Sequence, residues 1–296
     1  MPLTLLAPPV LDAATRDEVA ALAGAVEARD GQPPLSDQAL THLSTSSVRH
    51  VLARDGADLR GYAQLDGTSV ELAGDSESAG ALLDAFAGEA VQVWSHGRRS
   101  AVAPQLAERG YRQQRILHQL RRSLADPIPD EPLADGVRVR TFVRGTDEQA
   151  WLRVNAAAFA THAEQGRWTQ ADIAAREAEP WFDPAGFLLA ERGGEVIGFH
   201  WTKIHPDGAG EVYVLGVDPA AQGLRLGSAL LVRGLRYLAD RGCAEVLLYV
   251  DESNTAAMRL YQRFGFHSHD VDVQWSPPTA QPPVPPEPPE PVPSRR

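Results

Sequence analysis

The chain has 296 residues, is 43% apolar and carries a formal net charge of −11, so it is long enough for two compact domains of ordinary size. That acidity argues against a general nucleic-acid or anionic-membrane binder. No apolar run reaches the length of a membrane span, and the N-terminal MPLTLLAPPVLDAATRDE lacks a basic leader, so a cytoplasmic protein is expected. One cysteine, Cys243, excludes an intramolecular disulfide and reads as a small buried filler between a helix and a strand.

Leu3, Leu5 and Leu6 begin a short strand, and a helix is predicted over about 12–28 with Val19, Leu22 and Val26 on one face. Ser36-Asp37-Gln38-Ala39 opens a second helix with a capping residue and an early acid. Residues 50–54 and 60–65 read as paired strands about a turn at Asp55-Gly56, and 91–94 as another strand. Leu106 to Gly110 is a helix end stopped by glycine; 116–122 is a strand in which Arg121-Arg122 reads as a surface pair. Residues 126–136, rich in proline and acid, are the expected linker between domains at 1–125 and 137–276.

The second half opens on a strand at 137–139 and an amphipathic helix carrying Trp151, Leu152, Asn155 and Phe159. Thr169-Gln170-Ala171-Asp172 resembles a capping box, and 187–190 with 196–204 form a predicted hairpin about Gly193-Gly194. Strands at 245–250 and up to Trp275 bracket a helix over 254–264 that Gly265 ends. In the tail, 277–296, ten of twenty residues are proline, so an extended, disordered segment is expected.

Everything in this half turns on GEVYVLGVDPAAQGLRLG, residues 210–227: a β-branched strand closed by Asp218-Pro219, then a Gly-bearing loop predicted to open a long helix at Gln222. Unpaired N–H groups at such a helix start suit a phosphate or pyrophosphate, although a Gly-rich turn alone is equally well a tight connection without a ligand. The spacing is neither a Walker loop nor a dinucleotide fingerprint. It resembles the Gln/Arg-x-x-Gly-x-Gly/Ala loop of the GNAT family of acetyl-CoA-dependent N-acyltransferases, with Arg225 standing where that family usually has glycine.

The resemblance implies an α/β fold of two tandem GNAT domains, each a mixed, largely antiparallel central sheet flanked by helices. The chain looks like a divergent repeat, with 105–111 matching 260–266 and Leu106 standing where Tyr261 stands. The first half lacks the Gln-x-x-Gly-x-Gly loop; TSVELAGDSESAGALL occupies that place, so a catalytically silent first domain is expected.

Acetyl-CoA is the implied cosubstrate, with no metal. Its implied contacts are Leu215, Gly216 and Val217 for the pantetheine arm and Gln222, Gly223, Leu224, Arg225, Leu226, Gly227 and Ser228 for the pyrophosphate. Asn254, Thr255, Ala256, Ala257, Met258 and Arg259 of the last helix start complete them. Tyr261, two turns beyond Asn254, is the implied acid for the departing thiolate, or else a core aromatic. Glu211 is the implied base for the attacking amine, or else a solvated strand-end acid. Further matches at 162–169, 177–190 and 198–206 point to a two-domain member of the family. That member acetylates the cysteinyl amine of a cysteine–glucosamine–inositol conjugate. They imply Asp37, Glu164, Lys203, Glu211 and Tyr249 as contacts to a cationic, hydroxyl-rich substrate. Without the resemblance, Asp37, Glu164 and Lys203 are ordinary surface charges.

His162, His200 and His205 have no metal-ligand context. Two other readings stay open from the sequence: a GNAT enzyme of a different amine, and a non-catalytic acyl-CoA-binding module. The expected partner is a small molecule rather than nucleic acid or membrane, and the expected state a monomer.

Overall fold

The computed structural model describes residues 3–160 and 165–278. Glu164, His162 and the Pro-rich stretch from 279 onward therefore lie outside the described residues. The chain divides into two compact units, Met1–Ile116 with Asp272–Arg296, and Leu117–Val271.

The first unit begins with β1 (Thr4–Leu6) and α1 (Ala13–Asp30), the helix capped by Asp12 through the Thr15 N–H at 2.8 Å. Then come α2 (Asp37–Thr41), β2 (Arg49–Asp55), β3 (Asp58–Asp66), β4 (Ser69–Gly74), α3 (Ser76–Asp84), β5 (Gln92–His96) and α4 (Val102–Glu108). Strands β1 to β4 are antiparallel neighbours, and β4 runs parallel to β5 at Ser69↔Gln92 and Val70↔Val93. The stretch 68–83, read in the sequence only as lacking a phosphate loop, thus contributes a strand and a helix of its own. Asp75 caps α3 in a reciprocal box with Ser78, accepting the Ser78 N–H at 2.9 Å.

Next is β6 (Arg112–Ser123), whose residues from Leu117 belong to the second unit. The others there are β7 (Val137–Thr141), α5 (Glu148–Ala158), α6 (Gln170–Glu177), β8 (Phe187–Arg192), β9 (Glu195–Ile204), β10 (Gly210–Val217), α7 (Leu226–Asp240), β11 (Glu245–Asp251), α8 (Thr255–Arg263) and β12 (His267–Ser276). Their sheet order is β6-β11-β10-β9-β8-β7, antiparallel except between β10 and β11. Gly193 and Gly194 form the β8–β9 turn and Thr169 completes the capping box of α6 with Asp172, as their sequence patterns require.

One face of this sheet is closed by α7 and α8, with Leu231, Leu235 and Leu238 against Val246, Leu248, Val250 and Phe264. The other is an aromatic layer in which Trp151 meets Phe187, Phe199 and Trp201 edge-on at 5.4–5.9 Å, while Phe187 stacks on Trp201 at 4.3 Å. Rings of this size each contribute about 2–3 kcal/mol of burial and prefer those offset and edge-on geometries.

Two strand segments serve the unit other than the one their neighbours in sequence belong to. The end of β6 pairs with β11 through seven residue pairs from Leu117↔Asp251 to Ser123↔Glu245. The end of β12, from Asp272 to Trp275, pairs with β5. Arg122 corrects the surface-pair expectation: it is only 2% exposed, and its guanidinium donates to the Phe264 carbonyl at 2.6 Å and the Asp126 carbonyl at 3.1 Å. Its alternation along β6 sends it to the helix face, while Arg121 takes the other.

The repeat is visible in the backbone. In the first unit the Tyr111 N–H donates to the Leu106 carbonyl at 3.0 Å, and Gly110 is left-handed at φ 76°. In the second the Phe266 N–H donates to the Tyr261 carbonyl at 3.1 Å, and Gly265 has φ 82°. Both are the six-to-one closure of a helix end, which needs a left-handed residue. Leu106 and Tyr261 therefore hold equivalent places.

Candidate active site

Parallel pairing of β10 with β11 stops at Gly210↔Val246 and Glu211↔Leu247, so beyond Glu211 the paired ladder ends on that side of β10. On its other side β10 stays paired with β9 to Val217↔Gly198. Leu215, Gly216 and Val217 therefore lie where one strand edge is left open, a place for an extended arm to add hydrogen bonds. Gly216 also has a packing reason: a Cβ there would stand 2.7 Å from the Phe199 ring.

The helix after the loop starts at Leu226 and not at Gln222. Gln222 is extended, Gly223 has φ 87°, and Arg225 is left-handed at φ 53°, the only non-glycine with positive φ among the described residues. A helical path cannot run through those angles, so the turn is wider than the sequence pattern predicts. Arg225 is the N-cap of α7 but gives no side-chain cap bond; its guanidinium lies 2.9 Å from Glu131 Oε1. The Ser228 and Ala229 N–H groups reach the Arg225 carbonyl, leaving the first N–H groups of the helix without an intrahelical partner. Among the described residues no side chain caps this positive helix start, around which Gln222, Gly223, Leu224, Leu226 and Gly227 lie, and such a start suits an anion. Ser228 is buried and accepts a hydrogen bond from Arg263.

At the start of α8, Asn254 is the N-cap, accepting the Ala257 N–H at 3.1 Å. Thr255, Ala256 and Arg259 are exposed and Ala257 and Met258 half-buried. Two turns on, Tyr261 is buried with its ring edge-on to Phe266 at 5.6 Å. Burial pushes its hydroxyl well above the usual phenol range, so it is a donor at neutral pH.

Lys203, Glu211 and Tyr249 share one face of the sheet. Lys203 lies opposite Glu211 and Glu211 beside Leu247, and Tyr249 is two residues farther along β11. Tyr249 is 45% exposed and accepts a hydrogen bond from Gln119 at 2.8 Å. Gln119 in turn accepts from Arg121 at 2.9 Å, so β6 contributes two polar groups, of which the sequence marked only Arg121, as a surface residue. The Lys203 ammonium lies 5.2 Å from the Trp181 ring and 5.8 Å from that of Tyr213, the extra residue of a β-bulge in β10. Glu211 is 7% exposed, unlike the solvated strand-end acid of the alternative reading, and is 2.8 Å from His205 Nε2. The sequence marks His205 as a partner of Glu211 only through the hairpin spacing that brings 205 back to 211 across a turn. Asp37, in the first unit, is the exposed first residue of α2, after the Ser36 cap.

The Acetyltransferase (GNAT) family matches residues 154–266, which span this whole constellation. The mycothiol acetyltransferase of Thermomonospora curvata is 49% identical over 276 residues, covering 88% of this chain and 93% of that protein. That of Geodermatophilus obscurus is 49% identical over 295 residues, covering 90% and 95%. The chain belongs to the mycothiol acetyltransferases, within the GNAT family. It is an N-acetyltransferase, and GNAT acetyltransferases use acetyl-CoA. Among solved structures, a GCN5-related N-acetyltransferase from Sphaerobacter thermophilus superposes with TM-score 0.68 at 27% identity, covering 92% of this chain and 95% of that one. A tandem GNAT protein from the clavulanic acid biosynthesis pathway, at TM-score 0.63 and 16% identity over 94% and 100%, shares the two-domain fold. Among the described residues no helix is long and apolar enough to cross a membrane.

Proposed function

We propose that the chain transfers the acetyl group of acetyl-CoA to the cysteinyl amine of the cysteine–glucosamine–inositol conjugate, giving mycothiol and CoA, and that the second unit does the chemistry. The relatives named for this product support it. The observation that carries it is the placement of Lys203, Glu211 and Tyr249 on one sheet face where the β10–β11 ladder ends. A cationic, hydroxyl-rich acceptor suits that set: a carboxylate for the ammonium, and an amine, a phenol and the Gln119 amide for hydroxyls.

Glu211 receives the ammonium and draws its proton off, which frees the nitrogen lone pair for attack. Acetyl-CoA supplies an acyl group already activated as a thioester, so no covalent nucleophile is needed and alignment supplies much of the rate. The open edge at Leu215–Val217 and the α7 cradle hold the arm and pyrophosphate. Asn254 and Thr255–Arg259 flank the same slot, and the Tyr261 hydroxyl donates to the thiolate as it leaves. Asp37 and Glu164 complete the substrate contacts in this reading. The protein works as a cytoplasmic monomer, on a small molecule and without a metal, and its first unit is silent.

Thiol release from acetyl-CoA with the conjugate as acceptor, for wild type and Glu211→Gln, tests this. Fast release that falls roughly 10²-fold or more in the variant is expected for loss of a general base. Binding of CoA with no release on this amine overturns the substrate; release that survives the substitution removes Glu211 from the chemistry.

A further inference from the structure

We propose that the base is a pair and that His205 is where the amine's proton ends. The inference rests on Glu211 meeting the substrate amine, as proposed above. A lone carboxylate is a weak destination for a proton from an ammonium group, because its ordinary affinity for protons is far below that of an amine. An imidazole lies closer to the operating pH. Here the two are joined: His205 Nε2 stands 2.8 Å from Glu211 Oε2, with the histidine side chain 27% exposed and the glutamate 10%. The turn holds the histidine in place. Its N–H donates to the Ala209 carbonyl at 2.9 Å, its own carbonyl accepts from Gly208 at 2.9 Å, and Asp207 Oδ1 accepts the Ala209 N–H at 3.0 Å. Glu211 is likewise fixed, by the β9 ladder opposite Lys203.

The charges assign the tautomer. A carboxylate oxygen accepts, so Nε2 carries the hydrogen and Nδ1 the lone pair. This is the orienting relation that a carboxylate has with the histidine base of a hydrolase triad, on an unrelated fold. Glu211 remains a carboxylate: Oε2 holds the ring and Oε1 is left for the ammonium. One N–H bond of the ammonium breaks, its electron pair stays on nitrogen for attack, and the proton passes through water to Nδ1. The imidazolium so formed faces the Glu211 charge and releases its proton to solvent from the exposed ring edge. The charge of the pair changes from −1 to 0 and back in each cycle, with no oxidant or further reactant.

The test compares kcat and KM for His205→Ala, His205→Gln and Glu211→Gln, with free imidazole titrated into the first. His205→Ala should lower kcat roughly 10- to 100-fold while leaving KM for acetyl-CoA within about twofold, as loss of one proton-transfer partner does. Imidazole should restore much of that loss. His205→Gln keeps an N–H toward Glu211 but supplies no ring lone pair, so it should stay slow even though it folds as wild type. Near-wild-type kcat in His205→Gln would show that the ring only holds Glu211, and overturn the proposal. So would an alanine variant that imidazole leaves unmoved. Full activity of Glu211→Gln would instead overturn the reading on which the proposal rests, and the two failures are distinguishable on the same plate.

Discussion

The two units keep one backbone plan and differ at the few positions where chemistry is possible. Both pair a strand antiparallel on one side and parallel on the other, β4 in the first and β10 in the second, and both follow it with a helix. The start of α3 is filled by the Asp75 carboxylate, whereas α7 starts at Arg225 with no side chain capping it. Burial would raise the Asp75 carboxyl, but the Ser78 N–H and Arg60 hold it down at about 2. A helix start satisfied by its own anion has nothing left to offer a second one. At the matching helix ends stand Leu106, fully buried, and Tyr261. The pair teaches that the fold selects for the closure of the helix by glycine, and leaves the residue five positions before the aromatic free to be a core leucine or a buried tyrosine.

His96 in the first unit and His200 in the second are held in opposite states. Burial would lower His96, but Asp272 and Glu71, at 3.4 and 3.5 Å, raise it to about 9. His200, fully buried, donates from Nδ1 to the Leu230 carbonyl at 2.9 Å, and burial lowers it to about 4. It fits against α7 because position 234 is glycine; a Cβ there would lie 2.0 Å from the ring.

The sharpest way to break the comparison is to exchange the helix-end residues' roles. Tyr261→Phe should lower kcat about 100-fold or more with little change in the melting temperature, the loss expected for a general acid. Leu106→Ala should instead cost about 2–5 kcal/mol of stability in urea titrations and leave kcat per folded molecule unchanged, as for a truncated core leucine.

The histidines should separate the units by pH. His96 is raised above its unfolded value, so its contribution is complete below about 6.5 and disappears as pH rises through about 9. His200 is depressed, so its contribution is present above about 6.5 and disappears as pH falls toward about 4. Each amounts to roughly 1–3 kcal/mol. Hydrogen exchange followed by peptide should show protection failing first around β5 and the end of β12 in alkali, and first around β9 and α7 in acid. The same region failing at both ends would remove the distinction.

Smaller effects are expected at the helix starts. Asp75→Ala should cost about 1 kcal/mol of first-unit stability, measured by thermal melting. Arg225→Gly should relieve a left-handed residue worth about 1 kcal/mol but lose the Glu131 pair, leaving stability within roughly 0.5 kcal/mol of wild type. Its readout is KM for acetyl-CoA: little change would mean that the loop's backbone, not the arginine's charge, holds the pyrophosphate.

Legibility in the sequence followed the range of the interactions. The Gly193-Gly194 hairpin, the Thr169 capping box and the matched helix ends depend on residues a few positions apart, and they stand where the pattern places them. The loop was legible as a break between strand and helix, but its helix start lies four residues beyond the one the pattern predicts, because a left-handed arginine cannot be read from side-chain periodicity. Arg122 and the Gln119–Tyr249 bond depend on which strand lies beside β11, which no local pattern encodes. His205 depends on a hairpin closing over six residues, and no pattern of residue types marks it as the partner of Glu211.

The exchanged strand ends set an order of assembly. His96 finds Asp272, and Ser95 the Trp275 indole at 2.9 Å, only once almost the whole chain exists. During synthesis the unit whose residues emerge first must therefore wait for the last strand, with β5 an open edge in the interval. The second unit, from Leu117 to Val271, is contiguous, so its parts are made in one run of the chain. The half of the protein assigned the chemistry is thus made in one stretch, and the half that precedes it in two, on either side of the other.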